Sequence, residues 1–203
     1  VSVLYCVSFS IIFSSFYPQK KQKMPLHIAA VKAKLPIART DDAKQRRQEL
    51  FKQFDPNGNG YLSLAEVDKG IRDVLQIDEL FDLKPVIMRA FTAAKGANNS
   101  HNKPGSHGPD FIEFVEFRLL LEYLGRYFEL WELFAETDTD GDRRVDIKEF
   151  RRAVPLINSW GAKITDADKA FREIDANGGG IILFDEFAHW ALKLHLDELH
   201  PDS

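Results

Sequence analysis

One stretch of this chain, Asp55-Pro56-Asn57-Gly58-Asn59-Gly60-Tyr61-Leu62-Ser63-Leu64-Ala65-Glu66, sets oxygen-bearing side chains at its positions one, three, five, nine and twelve and glycine at six. Every side chain at those five positions offers oxygen, and none offers ring nitrogen or sulfur. Hard divalent cations take about six to eight such oxygens in a flexible shell, and a tight loop folded over the ion turns alternate residues inward. Glu66 is placed to close the shell with both carboxylate oxygens. Tyr61, at position seven, contributes a backbone carbonyl and not its ring.

That spacing is the calcium loop of an EF-hand, and it recurs. A second full copy, Asp138-Thr139-Asp140-Gly141-Asp142-Arg143-Arg144-Val145-Asp146-Ile147-Lys148-Glu149, has carboxylates at one, three, five, nine and twelve, with the Arg144 carbonyl at seven. Its position six is Arg143, where the loop turns through a left-handed conformation that costs a non-glycine residue roughly 1–2 kcal/mol. This site is expected to work under strain, with neighbouring Gly141 free to redistribute it. A weaker copy, Asp175-Ala176-Asn177-Gly178-Gly179-Gly180-Ile181-Ile182-Leu183-Phe184-Asp185-Glu186, keeps Asp175, Asn177, the Ile181 carbonyl and Glu186. Gly179 and Leu183 offer no side-chain oxygen, so ligation at Gly179 runs through water and affinity falls.

A fourth glutamate, Glu116, closes the same pattern of apolar residues, Phe111-Ile112-Glu113-Phe114-Val115-Glu116-Phe117. Counting back from it puts Gly105, His107 and Pro109 at the first three ligand positions. This hand is expected to survive as a fold and not as a site, its loop stretched through 96–104.

Loops of Asp, Asn and Gly also make ordinary turns. Here they come with matched flanks: Phe51, Phe134 and Phe171 each stand four residues before a loop, and Val67 with Ile71, Phe150 with Val154, and Phe187 with Ala191 follow the closing glutamates. Helical periodicity around the loops, with glycine and proline mostly at boundaries, predicts an all-α protein: four EF-hands in two paired lobes, with short two-stranded β pairings between loops. Leu62 should meet Ile112, and Val145 should meet Ile182. The expected divisions are 1–23, a leader or non-native extension; 24–40, a basic segment; 41–125, the first pair; and 126–203, the second pair.

The chain is 44% apolar and 29% charged with sixteen Phe, enough for one large core or two lobes. Net charge is −4, yet residues 20–52 are basic, with Lys20, Lys21, Lys23, Lys32, Lys34, Arg39, Lys44, Arg46, Arg47 and Lys52 against Asp41, Asp42 and Glu49. Interleaved Leu26, Ile28, Val31 and Leu35 fit a segment lying on an anionic membrane or an acidic protein partner, or one packing on the chain's own acidic body. The second reading is the blander and is preferred. Residues 1–17 are mostly apolar and carry no basic region ahead of them. They read as a signal or anchor, as the remnant of a longer chain, or as leader sequence upstream of Met24. A lone Cys6 excludes an internal disulfide framework and fits a reducing cytoplasm. His189 and His195 lack companions at metal-ligand spacing. No phosphate-binding glycine loop or nucleophile elbow appears, and ion ligation accounts for the clustered carboxylates, so no enzyme is expected. Neither nucleic acid nor a small-molecule substrate is an expected partner.

From about Ala43 to Ala191 the chain resembles the flagellar calcium-binding proteins of kinetoplastids, the calflagins. The resemblance rests on Ala43-Lys44-Gln45-Arg46-Arg47 running into Glu49-Leu50-Phe51-Lys52, on Glu113-Phe114-Val115-Glu116-Phe117-Arg118-Leu119, on Trp160-Gly161 followed by Ile164-Thr165-Asp166-Ala167, and on a non-glycine at Arg143. It implies calcium sensing at a flagellar membrane through an acylated N-terminus. With Pro25 after Met24 in place of the Gly that acylation needs, the acyl part is not expected to carry over. The working expectation is a calcium sensor, cytoplasmic, flagellar or peripheral to the membrane, that exposes a partner or membrane surface on binding. Its rivals are a calcium buffer, a constitutive structural adaptor, and a protein built like the calcium-regulated photoproteins, which share the four-hand architecture.

Overall fold

The computed structural model describes residues 24–95 and 110–194. Residues 1–23, the 96–104 stretch, Gly105, His107, Pro109 and His195 lie outside the described residues. Helix α1, Met24–Ala33, is followed by the first hand: α2, Asp41–Phe54, then β1, Tyr61–Leu62, and α3, Leu64–Gly70, which runs on as a π-helical turn over Ile71–Leu75. The second hand has α4, Asp78–Phe81, α5, Lys84–Lys95, and β2, Ile112–Glu113, and its exiting helix is α6, Phe114–Thr137. The same α6 enters the third hand, whose exiting helix is α7, Ile147–Ser159; the fourth is α8, Ala167–Ile174, and α9, Phe184–Lys193.

Local chemistry sets these boundaries. Thr40 caps α2 by accepting from the Ala43 N–H, with Asp41 and Asp42 in the first turn and Lys52 in the last, all favourable to the helix dipole. Between α7 and α8 the Asn158 side chain holds Ile164 both ways, donating to its carbonyl and accepting from its N–H, and Asp166 then caps α8.

Both expected loop pairings form. Leu62 pairs antiparallel with Ile112, and Val145 bridges Ile182 with N–H···O distances of 3.0 and 2.9 Å. All four side chains are fully buried. The phenylalanines before the loops meet the residue just after the closing glutamate of the partner hand: Phe51 on Phe117 at 5.2 Å, Phe134 on Phe187 at 5.6 Å and Phe171 on Phe150 at 5.8 Å between centroids. Aromatic pairs of this kind add about 0.5–1.5 kcal/mol each beyond the area they bury.

The two hand pairs share one continuous apolar core. The expected division at 125/126 lies inside α6, which leaves hand two and enters hand three without a break. Gly125 does not break this helix, and Leu35 and the Lys32 stem pack over it, 3.6 and 3.8 Å from where a Cβ would stand. The N-terminal segment lies against this point. Val31 and Leu35 are buried, Lys32 pairs with buried Glu129 at 2.5 Å, and Lys34 Nζ donates to the Leu75 and Gln76 carbonyls at 3.3 and 2.7 Å. Buried Arg47 donates to the carbonyls of Pro36 and Ala38. Three cations of the basic stretch are therefore engaged within the molecule.

Glu116, which closes the hand expected to have no metal site, is fully buried, and its Oε2 accepts the Glu113 N–H at 3.1 Å, tying down the start of α6. Glu116→Ala removes the acceptor of that part-buried N–H and should cost about 1–2 kcal/mol. Denaturant unfolding checks the loss, and calorimetric calcium stoichiometry should stay unchanged.

Candidate metal centre

In the first loop, Asp55 turns both carboxylate oxygens inward because Oδ1 accepts from the Asn59 N–H at 3.1 Å and Oδ2 from the Gly60 N–H at 2.8 Å. Asn57 Oδ1 accepts from the Asn59 N–H, and Asn59 Oδ1 from the Tyr61 N–H, so positions one, three and five are each held by backbone donors two to five residues on. The third loop repeats this: Asp138 accepts from Gly141 and Arg143, Asp140 from Asp142, and Asp142 from Arg144. The fourth keeps what its residues allow, with Asp175 accepting from Gly179 and Gly180 and Asn177 from Gly179.

The closing glutamate divides its two oxygens in the same way each time. Oε2 accepts the N–H of position nine, from Ser63 at 2.9 Å, Asp146 at 3.0 Å and Leu183 at 3.1 Å. Oε1 faces back across the loop, where Asn57 Nδ2 reaches Glu66 at 2.6 Å, Asn177 Nδ2 reaches Glu186 at 2.7 Å, and the Thr139 N–H and hydroxyl both reach Glu149 at 2.8 Å. Thr139 stands at position two, outside the ligand pattern, and sequence reasoning missed it; its only signal is a hydroxyl next to the first ligand. In the third loop, ligand atoms of Asp138, Asp140 and Glu149 lie within 4.8 Å of one another. Burial alone would raise the Glu149 carboxyl, but hydrogen bonds from Asp146 and Thr139 outweigh it and hold the group below the ordinary glutamate range.

The remaining sequence-predicted residues fall as follows. Ser63 and Asp146 are the caps of α3 and α7, each accepting the N–H of its own closing glutamate, so at position nine each faces a helix end. The Tyr61 ring stacks edge-on against Phe111, 4.6 Å between centroids, leaving only its carbonyl for the loop. Gly179, at position five, has no side chain to offer, and its N–H donates to Asp175 Oδ1 at 3.0 Å and Asn177 Oδ1 at 2.7 Å. His189 is exposed.

Arg143 takes the left-handed conformation itself, at φ +66°, alongside Gly60 at +86° and Gly180 at +77°. The expectation that Gly141 redistributes the strain is corrected: Gly141, at +78°, matches Gly58 and Gly178 at position four, so its freedom is already used by the common loop shape.

Donor chemistry and loop geometry fit a hard cation: oxygen ligands oriented inward, a carboxylate held over them, and left-handed turns at positions four and six. They define an EF-hand protein. A profile described as the FCaBP EF-hand domain matches residues 31–124, and one described as an EF-hand domain pair matches residues 127–192. The chain is 44% identical to a flagellar calcium-binding protein of Trypanosoma cruzi, over 85% of this chain and 82% of that protein. It is 42% identical to flagellar calcium-binding protein TB-24 of Trypanosoma brucei brucei, over 82% and 76%. Calcium-binding protein 4 of Mus musculus is 32% identical over 69% of this chain and 49% of its own length. The chain belongs to the flagellar calcium-binding protein family and binds calcium.

Arg143→Gly removes the left-handed strain and gives back some of it as chain entropy in the unfolded state. A net gain of about 1 kcal/mol is expected in denaturant unfolding under saturating calcium. Gly141→Ala should lose at least as much; equal stability of all three chains would show that position six is not strained.

Proposed function

We propose that this protein is a calcium sensor, with hands one and three as its main sites and hand four as a weaker one. Bound calcium supplies positive charge that offsets the loop carboxylates. The proposed ligands are Asp55, Asn57, Asn59, the Tyr61 carbonyl and Glu66 in the first loop, with Ser63 through water. In the third they are Asp138, Asp140, Asp142, the Arg144 carbonyl and Glu149, with Asp146 through water. In the fourth they are Asp175, Asn177, the Ile181 carbonyl and Glu186, with water at Gly179.

The observation that carries this reading is the division of labour within the closing glutamate. One oxygen faces the loop and the other grips the first turn of the exiting helix, so Glu66 and Glu149 cannot shift without moving α3 and α7. Those helices bury Val67, Ile71, Phe150 and Ile157 in the core, and their reorientation uncovers apolar surface for a partner. With only two Met in the chain, that surface suits a narrow set of partners better than a promiscuous groove. The names of the relatives support a flagellar location, and among the described residues no helix is long and apolar enough to cross a membrane. A buffer would bind the ion without this movement.

Between chelator and millimolar calcium, a dye that binds apolar surface should brighten and the near-ultraviolet circular dichroism should change. Calorimetry should show two main binding steps, one lost in Glu66→Gln and the other in Glu149→Gln. Binding without either optical change would leave the buffer reading standing; full stoichiometry in either variant would show the loops to be wrongly assigned.

A further inference from the structure

Arg89 lies on α5, the entering helix of the hand that carries no ligand pattern, yet it reaches into the fourth hand. Its Nη2 donates to the Asp185 backbone carbonyl at 3.4 Å, and its Nε stands 3.7 Å from the Asp185 carboxylate. The same guanidinium hydrogen-bonds the Tyr127 side chain of α6. Asp185 is position eleven of the fourth loop, directly before the closing Glu186. Position ten is held as well: the Phe184 ring sits edge-on to Trp131 at 4.9 Å and to Phe134 at 5.7 Å, both on α6. The two residues leading into Glu186 are thus fixed by groups outside the fourth hand. In the first loop the corresponding Leu64 and Ala65 are exposed.

This support falls on the loop that needs it most. With no side-chain oxygen at positions five and nine, the fourth loop depends more heavily on Asp175, Asn177 and Glu186, and a misplaced Glu186 removes a larger share of its ligands. We infer that Arg89 is a positioning residue for the fourth calcium loop: by holding Asp185 it keeps Glu186 over the loop, so that this hand's calcium affinity depends on the first hand pair. The inference rests on the assignment above of hand four as a weak site.

Two effects of removing Arg89 have opposite signs, which makes the inference testable. Deleting a cation beside a cation site by itself tightens calcium binding. Loss of positioning weakens it. The full chain, Arg89→Ala and Arg89→Met, which retains the apolar stem, should be titrated with calcium by calorimetry while tryptophan emission follows the Trp131 to Phe184 contact. The expected result is a weakest step about fivefold or more weaker in both variants, with the two tighter steps unmoved, and an intermediate loss in Arg89→Lys. An unchanged or tighter weakest step, an equal loss at all steps, or a native chain with only two steps would overturn the inference. The sensor reading stands or falls separately, on the optical response to calcium at hands one and three.

Discussion

A carboxylate has two oxygens, and in every hand described here the closing glutamate uses one of them to hold the N-terminal end of the next helix. Those first-turn N–H groups have no partner within the helix, so the bond removes a deficit that any helix beginning at a tight loop must meet. The second oxygen is left facing the loop. Ion ligation and helix capping are therefore carried out by one rigid group, and neither can change without the other. Hand two shows the capping half as well: Glu116, fully buried, accepts the Glu113 N–H in a hand whose sequence lacks the ligand pattern.

The capped helices are then locked into pairs by the phenylalanine exchange. Phe51, Phe134 and Phe171 each pack on the aromatic residue that follows the partner hand's closing glutamate, and the buried pairings of Leu62 with Ile112 and Val145 with Ile182 tie the loops at the other end. A hand without the ligand pattern still has to supply half of these contacts. That requirement explains why the second hand persists as structure: without β2 and Phe117 the first hand would expose Leu62, Phe51 and Phe54.

Much of this was legible in the chain because the EF-hand writes its geometry at fixed offsets. The ligand order, the glycine turns, the loop pairings and the phenylalanines before each loop all follow from counting back or forward from a glutamate. The features that escaped counting depend on contacts distant in sequence. Gly125 lies inside an unbroken α6, and Arg89 meets Asp185 only because α9 is folded beside α5. Thr139 escaped because position two is silent in the ligand pattern. Residues 20–52 read either as a surface for a membrane or partner or as a segment packing on the chain's own acidic body, and which cations turn inward needed the fold: Lys32 closes onto Glu129, and Lys34 and Arg47 onto backbone carbonyls.

The three ligand-bearing loops are best ranked by how much of their shape each maintains alone. The first has glycine at both left-handed positions and oxygens at every ligand position, so its local sequence suffices. The third has more carboxylates, but its backbone must hold Arg143 at φ +66°, and hydrogen bonds from Thr139 and Asp146 fasten its closing Glu149. The fourth has three consecutive glycines and the fewest ligands, so its free-chain entropy is the largest and its own restraints the fewest. It is also the loop whose approach to the closing glutamate is gripped by residues of α5 and α6. Order that a loop's own residues do not supply has to come from its neighbours, and here the neighbours include a hand that carries no ligand pattern of its own.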